Sequence, residues 1–224
     1  MGQRTWTAVD RYIADLLVPA DPVLDDVLAA SEAAGLPPIN VAPNQGKLLM
    51  LLAQIQGARA ILEIGTLGGY STIWLARALP AGGRLITLEA DRRHAEVAQA
   101  NFVRAGFSDR IELRLGAALE TLPKLARERR GPFDLTFIDA DKANNPQYFA
   151  WALKLSRRGS LIIADNVIRD GAVIDARSRD PSIVGVRRFN KMVAAEPRVS
   201  ATAVQTVGSK GYDGLAVILV TADP

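Results

Sequence analysis

Short apolar runs alternate with longer amphipathic stretches through most of the chain. The apolar runs are rich in β-branched residues, which is typical of buried strands. We predict strands over 60–64, 84–89, 111–115, 134–139 and 160–165. A pattern of helical period follows each run, and we predict helices over 70–79, 92–106, 117–129, 144–156 and about 181–196. Five consecutive strand–helix units favour an α/β fold with a mostly parallel sheet and helices on both faces.

The two ends of the chain depart from this alternation. Two apolar runs, 201–207 and 214–221, are joined by the short segment GSKGYD, which predicts an antiparallel hairpin. Before the first strand, the patterns predict helices over 5–18, 22–34 and 43–56. We therefore expect extra N-terminal helices to precede the sheet.

The length of the chain limits it to one domain. Its 224 residues suffice for one sizeable α/β domain, which we assign to 1–224. Within it, 1–42 is expected to form a helical cap and 43–224 the core that binds a cofactor. Cysteine is absent and His94 is the single histidine, which excludes disulfides, thiolate catalysis and multi-histidine metal sites.

Charge and hydropathy give weaker information. The chain has 27 basic and 24 acidic residues, so its net charge of +3 does not by itself indicate nucleic-acid binding. No run reaches the ~20 apolar residues that a membrane span needs, and the N-terminal segment lacks the apolar centre of a signal peptide. We expect a cytoplasmic protein without membrane contact.

Two acidic turns follow apolar strands and carry the most chemical information. FDLTFIDADK contains Asp139, Asp141 and Lys142, and GSLIIADNVI contains Asp165 and Asn166. Ligands of open α/β sheets bind at the carboxyl ends of the strands, where these turns lie. The side-chain oxygens of Asp139, Asp165 and Asn166 can converge on a hard cation such as Mg²⁺ or Ca²⁺. Lys142 is near enough to act on a hydroxyl bound there.

A glycine-rich turn follows the first predicted strand. The sequence GTLGG, with Gly65, Gly68 and Gly69, departs from the G-x-G-x-x-G of dinucleotide sites. Glu63 lies at the end of the first strand, where an anion suits a cationic ligand. Glu89 ends the second strand and is placed to accept ribose hydroxyls. An ammonium group and a ribose together indicate S-adenosylmethionine.

These motifs resemble those of the cation-dependent O-methyltransferases, the family of catechol and caffeoyl-CoA O-methyltransferases. The resemblance runs from about Asn40 to the C-terminus and rests on LEIGTLGGYS, TLEAD, GAALETLP, FIDADKANNPQYF, ADNVIRDGAV and the DGL before the last strand. It implies a Rossmann-like, seven-stranded sheet of order 3-2-1-4-5-7-6 with the last strand antiparallel.

The resemblance also implies roles for individual residues. Asp139, Asp165 and Asn166 would hold the metal, with Mg²⁺ favoured and Mn²⁺ or Ca²⁺ possible. Lys142 would be the catalytic base. The residues expected to contact S-adenosylmethionine are Val41, Glu63, Gly65, Ser71, Glu89, Ala117 and Asp139. The acceptor would be a small aromatic with adjacent hydroxyls, of catechol, caffeoyl or flavonoid type.

The acceptor side departs from the animal catechol enzymes. Asp141 and Asp170 stand where those enzymes have aromatic and proline side chains, and Val207 falls near their ring-binding carboxylate. Asp141 and Lys142 instead match the caffeoyl-CoA branch and its bacterial relatives. The acceptor pocket is therefore expected to differ from that of the animal enzymes.

Two other functions and one assembly state stay open. A tRNA methyltransferase that modifies a hydroxylated uridine could use the same scaffold, and a basic isoelectric point does not oppose it. A nicotinamide-dependent oxidoreductase or a non-catalytic nucleotide-binding module is disfavoured by the missing dinucleotide motif. A homodimer is expected because the first helix carries an apolar stripe, made of Trp6, Val9, Ile13, Leu16 and Leu17.

Overall fold

The computed structural model describes residues 2–223 and forms a sheet of seven strands flanked by eight α-helices. The strands are β1 (Ala60–Ile64), β2 (Arg84–Glu89), β3 (Ile111–Leu115), β4 (Leu135–Ile138), β5 (Leu161–Asp165), β6 (Val199–Gly208) and β7 (Gly211–Val220). The helices are α1 (Gln3–Leu17), α2 (Pro22–Ala33), α3 (Pro43–Ile55), α4 (Tyr70–Arg77), α5 (Arg92–Arg104), α6 (Ala118–Arg127), α7 (Asn145–Lys154) and α8 (Pro181–Ala195). Two 3₁₀ turns, Lys142–Asn144 and Ala172–Ile174, follow β4 and β5.

The strand order is β3-β2-β1-β4-β5-β7-β6, as the resemblance implied. β1 lies in the middle and pairs in parallel with β2 and β4, and β7 runs antiparallel to both of its neighbours. The chain reverses its direction of travel across the sheet between β1 and β4. Such a point opens a crevice at the carboxyl edge, between the loops that follow the two strands.

Apolar side chains cover both faces of the sheet. Alternate residues of the central strands point to opposite faces, so Ile61 joins the core on one face and Leu62 the core on the other. α3, α4 and α5 pack on the first face, whereas α6, α7 and α8 cover the second. Because both faces are covered, polar groups of the central strands reach solvent or ligands mainly at the strand ends.

The structure confirms the type and order of the predicted elements and changes some of their ends. β1, β2 and β3 have the predicted bounds, whereas most helices are shorter than predicted by one or more residues. The hairpin turn contains only Ser209 and Lys210, and Gly208 pairs with Gly211. The strands of the hairpin are therefore longer than predicted. Polar residues occupy much of the exposed edge strand β6, so its apolar pattern was weak.

The first helix lies at the surface. α1 contacts α3 and β6, but none of its residues is buried. Four of its apolar side chains are more than 45% exposed, namely Val9, Tyr12, Leu16 and Leu17. Within residues 2–223, no helix has the length and apolar character needed to cross a membrane.

Candidate active site

The glycine turn after β1 touches the acidic turn after β4. Gly65 has φ +100°, and a Cβ at this position would lie 2.1 Å from the carbonyl oxygen of Asp139. Only glycine has both this backbone conformation and this clearance without strain. Close packing here fixes the distance between the glycine turn and the Asp139–Lys142 turn.

A first cavity, which we call the glycine-turn cavity, opens above β1 and β2. It has a volume of about 590 Å³ and lies between the glycine turn, the end of β2 and the segment before α3. Five of the predicted cofactor-contacting residues line it, namely Val41, Gly65, Ser71, Glu89 and Asp139. Ala117 lies between two lining residues, Gly116 and Ala118, and Glu63 lies beneath the cavity wall.

Glu89 is held in place by backbone donors at the end of β2. Its Oε2 accepts the N–H groups of Thr66 and Leu67 at 3.2 and 2.8 Å, and its Oε1 accepts the N–H of Asp91 at 2.9 Å. His94 approaches the same carboxylate, with its Nδ1 3.6 Å from Oε1. The side chain therefore has a fixed orientation at the cavity wall, and the remaining acceptor capacity is on Oε1.

Glu63 is fully buried, with 0% of its surface exposed. Three hydroxyl groups donate to it, those of Ser71 and Thr72 on α4 and that of Thr87 on the adjacent strand. Burial raises the pKa of Glu63 to about 7, although the three hydroxyl donors act in the opposite direction. The structure thus connects Glu63 to the cavity through Ser71, whose hydroxyl donates to the carboxylate at 2.7 Å.

A second cavity, the hairpin cavity, opens above β4, β5 and the β6–β7 turn. Its volume is about 650 Å³, and Asp139, Asp165 and Asn166 all line it. Asp139 and Asn166 also line the glycine-turn cavity. The two cavities therefore share a wall made by two of the three predicted metal ligands.

The charge on Asp165 is poorly compensated by the protein. Only 5% of the residue is exposed, and burial together with the nearby Asp139 raises the pKa of Asp165 to about 7. The opposing influences come from Lys142, the backbone N–H of Asn166 and the Gln45 side chain. Two neighbouring carboxylates at a cavity wall are stabilised together by a cation.

The donor set fits a hard cation. Asp139 and Asp165 supply carboxylate oxygens, and no group in residues 2–223 hydrogen-bonds the side-chain amide of Asn166. No cluster of three or more acidic, histidine or cysteine side chains suited to a metal occurs among the described residues. A cation here would thus use two carboxylates and one amide oxygen, with water or ligand oxygens completing its coordination.

Lys142 lies beside the shared wall and is 8% exposed. Its Nζ donates to Oδ1 of Asp139 at 2.8 Å. α8 packs closely against this turn because Gly185 lacks a side chain, and a Cβ there would lie 2.2 Å from the Lys142 carbonyl oxygen. The Lys142 side chain also lines the glycine-turn cavity, next to Asp139.

A comparison with known proteins identifies the family. The sequence model of the O-methyltransferase family matches residues 17–218. This chain belongs to the O-methyltransferase family. The match confirms the resemblance that the motifs indicated, and the seven-stranded fold agrees with it.

Similar proteins cover almost the whole chain of this O-methyltransferase. A catechol O-methyltransferase from Niastella koreensis is 55% identical over 98% of this chain and 100% of its own length. The crystal structure of the O-methyltransferase from Bacillus cereus in complex with SAH is 60% identical, with a TM-score of 0.97 over 98% of this chain and 100% of that one. TomG from Streptomyces achromogenes, involved in tomaymycin synthesis and solved with SAM, is 50% identical, with a TM-score of 0.96 over 99% and 100% of the two chains.

Two residues of this O-methyltransferase site were not predicted from the sequence. Gln45, in the first turn of α3, donates its side-chain N–H to Oδ2 of Asp165 at 2.6 Å. Tyr148 donates its hydroxyl to Asp141, which also accepts from Asn144 at 2.7 Å. Burial, and then the Asp141 carboxylate, raise the pKa of Tyr148. The contact between Gln45 and Asp165 joins positions 120 residues apart, so no local pattern indicates it.

Proposed function

We propose that this O-methyltransferase transfers a methyl group from S-adenosylmethionine to a hydroxyl of a small aromatic with adjacent hydroxyls, and that it requires a divalent cation. One observation carries the proposal, namely that Asp139 and Asn166 line both cavities. A donor in one cavity and an acceptor in the other would meet at this wall. Enzymes gain much of their rate by holding two reactants in such an arrangement.

The glycine-turn cavity is the proposed donor site. Its volume of about 590 Å³ is in the range of small-molecule sites. The orientation of Glu89 supports a role in accepting the ribose hydroxyls. Val41, Gly65, Ser71, Ala117 and Asp139 are proposed as further contacts, with Glu63 acting through Ser71. The relatives solved with SAH and SAM support this choice of donor.

The metal ligands are proposed to be Asp139, Asp165 and Asn166. Oxygen donors favour Mg²⁺, with Mn²⁺ and Ca²⁺ as alternatives. A cation bound there lowers the pKa of an acceptor hydroxyl and orients it. The raised pKa of Asp165 supports the proposal, because a cation would remove the repulsion between the two carboxylates.

Lys142 is the proposed general base. Its Nζ lies 2.8 Å from Oδ1 of Asp139, which lines both cavities, and Lys142 itself lines the glycine-turn cavity. In its neutral form, the Lys142 amine would accept the proton of one acceptor hydroxyl. The resulting oxyanion would attack the methyl carbon in line, and the carbon–sulfur bond of the sulfonium would break as the carbon–oxygen bond forms. Proton transfer of this kind typically contributes ~10²–10⁴-fold.

The hairpin cavity supports a small acceptor over tRNA. Five aspartates line it, against two cations, Arg169 and Lys210. A tRNA substrate needs several basic side chains to contact its phosphates. The relative named catechol O-methyltransferase supports an acceptor with two adjacent hydroxyls.

A homodimer is proposed from the exposed apolar face of α1. Leu16 is 63% exposed, and Ile55 at the end of the neighbouring α3 is 83% exposed. Apolar side chains grouped on one surface commonly mark an interface. Light scattering at micromolar concentration should give twice the mass of the chain, and a monomer mass would contradict the proposal.

A methyl-transfer assay over an acceptor panel tests the function. Catechol, caffeate, a flavonoid with adjacent hydroxyls and undermodified tRNA are each incubated with S-adenosylmethionine, with excess Mg²⁺ or with EDTA. We expect turnover of the aromatics with Mg²⁺, loss of turnover in EDTA and recovery when Mg²⁺ is restored. Full activity in excess chelator would refute the metal requirement, and methylation of tRNA alone would refute the acceptor class.

A further inference from the structure

The turn of the β6–β7 hairpin projects beyond the carboxyl edge of the sheet. Leu215 pairs with Asp165 at the end of β5, and β7 continues outward from there to Gly211. At about 3.3 Å per residue, the turn reaches roughly 13 Å beyond the proposed metal ligands. Gly208, Lys210 and Gly211 of this turn line the hairpin cavity.

Lys210 lies in this turn and lines the cavity. Its Nζ donates to the carbonyl oxygen of Pro38 at 3.0 Å, across the mouth of the cavity. It forms no ion pair with any carboxylate in residues 2–223. Lys210 is an exposed residue, and partial desolvation lowers its pKa.

The other cation of the cavity already has a carboxylate partner. Arg169 lies 3.8 Å from Asp213, and Asp213 also accepts the backbone N–H groups of Ile168 and Arg169. The Asp213 carboxylate therefore stabilises the loop after β5 and has little hydrogen-bonding capacity left for a ligand. Arg169 thus has a carboxylate within ion-pair distance, whereas Lys210 has none among residues 2–223.

Most carboxylates of the cavity are also engaged. Asp10 accepts from the Asn44 side chain at 3.0 Å and from the backbone N–H of Ser209 at 2.6 Å. Asp139 and Asp165 belong to the proposed metal site. Asp170 is the remaining carboxylate of the lining. The cavity thus combines the proposed cation site with one ammonium group that has no carboxylate partner among residues 2–223.

The hairpin turn is held in place before any acceptor binds. Asp10 of α1 fixes Ser209, and the side-chain amide of Gln3 donates to the Gly208 carbonyl at 2.9 Å. Gly208 packs directly on Asp10, because a Cβ there would lie 2.4 Å from the carboxylate. A lysine on a fixed turn loses less conformational freedom when it binds a ligand.

We propose that Lys210 binds an anionic substituent, a carboxylate, on the acceptor ring at the end opposite its two hydroxyls. This inference deepens the proposed function and rests on it. A ring whose hydroxyls lie at the proposed metal site of Asp139, Asp165 and Asn166 would direct a short acidic side chain toward the hairpin turn. The preferred acceptors are then dihydroxybenzoates and dihydroxycinnamates, and uncharged catechols are weaker substrates.

Kinetics with matched acceptors test the proposal. The kcat/KM of the wild-type enzyme is measured for 3,4-dihydroxybenzoate, its uncharged amide and the cationic acceptor dopamine, with S-adenosylmethionine and Mg²⁺ saturating. We expect the benzoate to be preferred to the amide by roughly three- to tenfold, mainly through KM. In Lys210→Met this preference should disappear while kcat/KM for the amide is retained, and Lys210→Arg should restore most of it. The benzoate-to-amide ratio of kcat/KM is compared between the wild type and each variant. Because the acceptors are the same for all enzymes, their intrinsic difference in phenol acidity cancels.

Lys47→Met is the matched control. Lys47 also donates its Nζ to a backbone carbonyl, that of Leu17, but it lines neither cavity. Its loss should leave the preference for the benzoate unchanged.

An equal fall in kcat/KM for the benzoate and the amide in Lys210→Met would assign the lysine a purely structural role and overturn the proposal. Preference of the wild type for dopamine or for the amide would overturn the anionic subsite but leave the proposed function standing. Failure to methylate any of the three would refute the proposed function itself.

Discussion

Glu63 and Asp165 are two buried carboxylates at the same edge of the sheet, and burial raises the pKa of each to about 7. They differ in what surrounds their oxygens. Three side-chain hydroxyls donate to Glu63, and it lines neither cavity. Asp165 receives one side-chain amide and the backbone N–H of its neighbour, and it faces Asp139 across a cavity wall. The first arrangement leaves little capacity for a ligand, whereas the second lacks a cation.

A raised pKa therefore does not by itself distinguish a structural carboxylate from a metal ligand. Desolvation is the largest cause in both cases, and Asp139 raises both pKa values, but only Asp165 lines an open cavity together with Asp139. The hydrogen-bond donors around each carboxylate distinguish the two better. They show whether the protein itself compensates the negative charge or whether a bound cation is needed. A substitution at Asp165 should consequently lower activity far more than the matched substitution at Glu63.

Asp165→Asn should give the largest effect. Loss of a charged ligand removes most of the stabilisation of the transition state by the cation, which is worth several kcal/mol. We therefore expect kcat/KM to fall on the order of 10³–10⁴-fold. Glu63→Gln, the matched substitution at the closed site, should cost far less. Steady-state methyl transfer at a Mg²⁺ concentration that saturates the wild type measures both, and equal losses would remove the distinction between the two carboxylates.

Lys142→Met should lower the chemical step by on the order of 10²–10³-fold, because a general base is lost. The deficit should shrink for acceptors with more acidic hydroxyls, since they need less help to ionise. Single-turnover rates over ring-substituted catechols test this, with donor affinity measured separately. If the single-turnover rates of the wild type and the variant depended on acceptor pKa in the same way, Lys142 would be only the counter-ion of Asp139.

Gln45→Leu should weaken metal binding by about tenfold, because residues that orient metal ligands typically contribute this much. Free Mn²⁺ measured by electron paramagnetic resonance gives the affinity without any need for turnover. Asn44→Ala is the control, since Asn44 lies in the same helical turn but donates to Asp10. The account of Asp165 would be wrong if the two variants bound Mn²⁺ equally well.

The smallest expected effect is on the pH dependence of stability. The pKa of Glu63 is about 7 in the folded protein, against an ordinary value of 4.5. The folded state therefore keeps the proton to higher pH than the unfolded state, and the free energy of unfolding falls as the pH rises from about 4.5 to about 7. Ionising Glu63 costs roughly 3 kcal/mol by this reasoning. In EDTA, the Tm of the wild type should fall from pH 5 to pH 8, and Glu63→Gln should show a fall several degrees smaller.

The same pH experiment repeated with Mg²⁺ tests the cation at Asp165. A cation favours ionised Asp165, so Mg²⁺ should reduce the fall in Tm of the wild type at high pH. The same addition should have no such effect on Asp165→Asn. A wild-type pH profile that Mg²⁺ leaves unchanged would mean that Asp165 has no cation to balance it.

Much of the fold followed from sequence patterns because buried parallel strands are continuous apolar runs. β1, β2 and β3 were predicted to the residue, and Asp139, Asp165 and Asn166 were expected at the carboxyl edge and lie at one cavity there. The hairpin was less predictable, since β6 is an exposed edge strand with mixed polarity.

The environment of each carboxylate could not be predicted in the same way. The donors to Glu63 come from β2 and α4, and the donor to Asp165 comes from α3, so both depend on tertiary packing. From the sequence, Glu63 and Asp165 are each an acidic residue at or near the end of an apolar strand. The predicted contact of Glu63 with a cationic ligand stays a prediction, and the structure offers Ser71 as the group between them.

Calorimetric titration of Mg²⁺ into the enzyme saturated with S-adenosylmethionine tests the central claim most directly. The wild type and Glu63→Gln should each bind one Mg²⁺ with similar affinity, and Asp165→Asn should show no saturable binding in the same concentration range. Wild-type affinity in Asp165→Asn, or loss of binding in Glu63→Gln alone, would contradict the assignment of Asp139, Asp165 and Asn166 as the metal site.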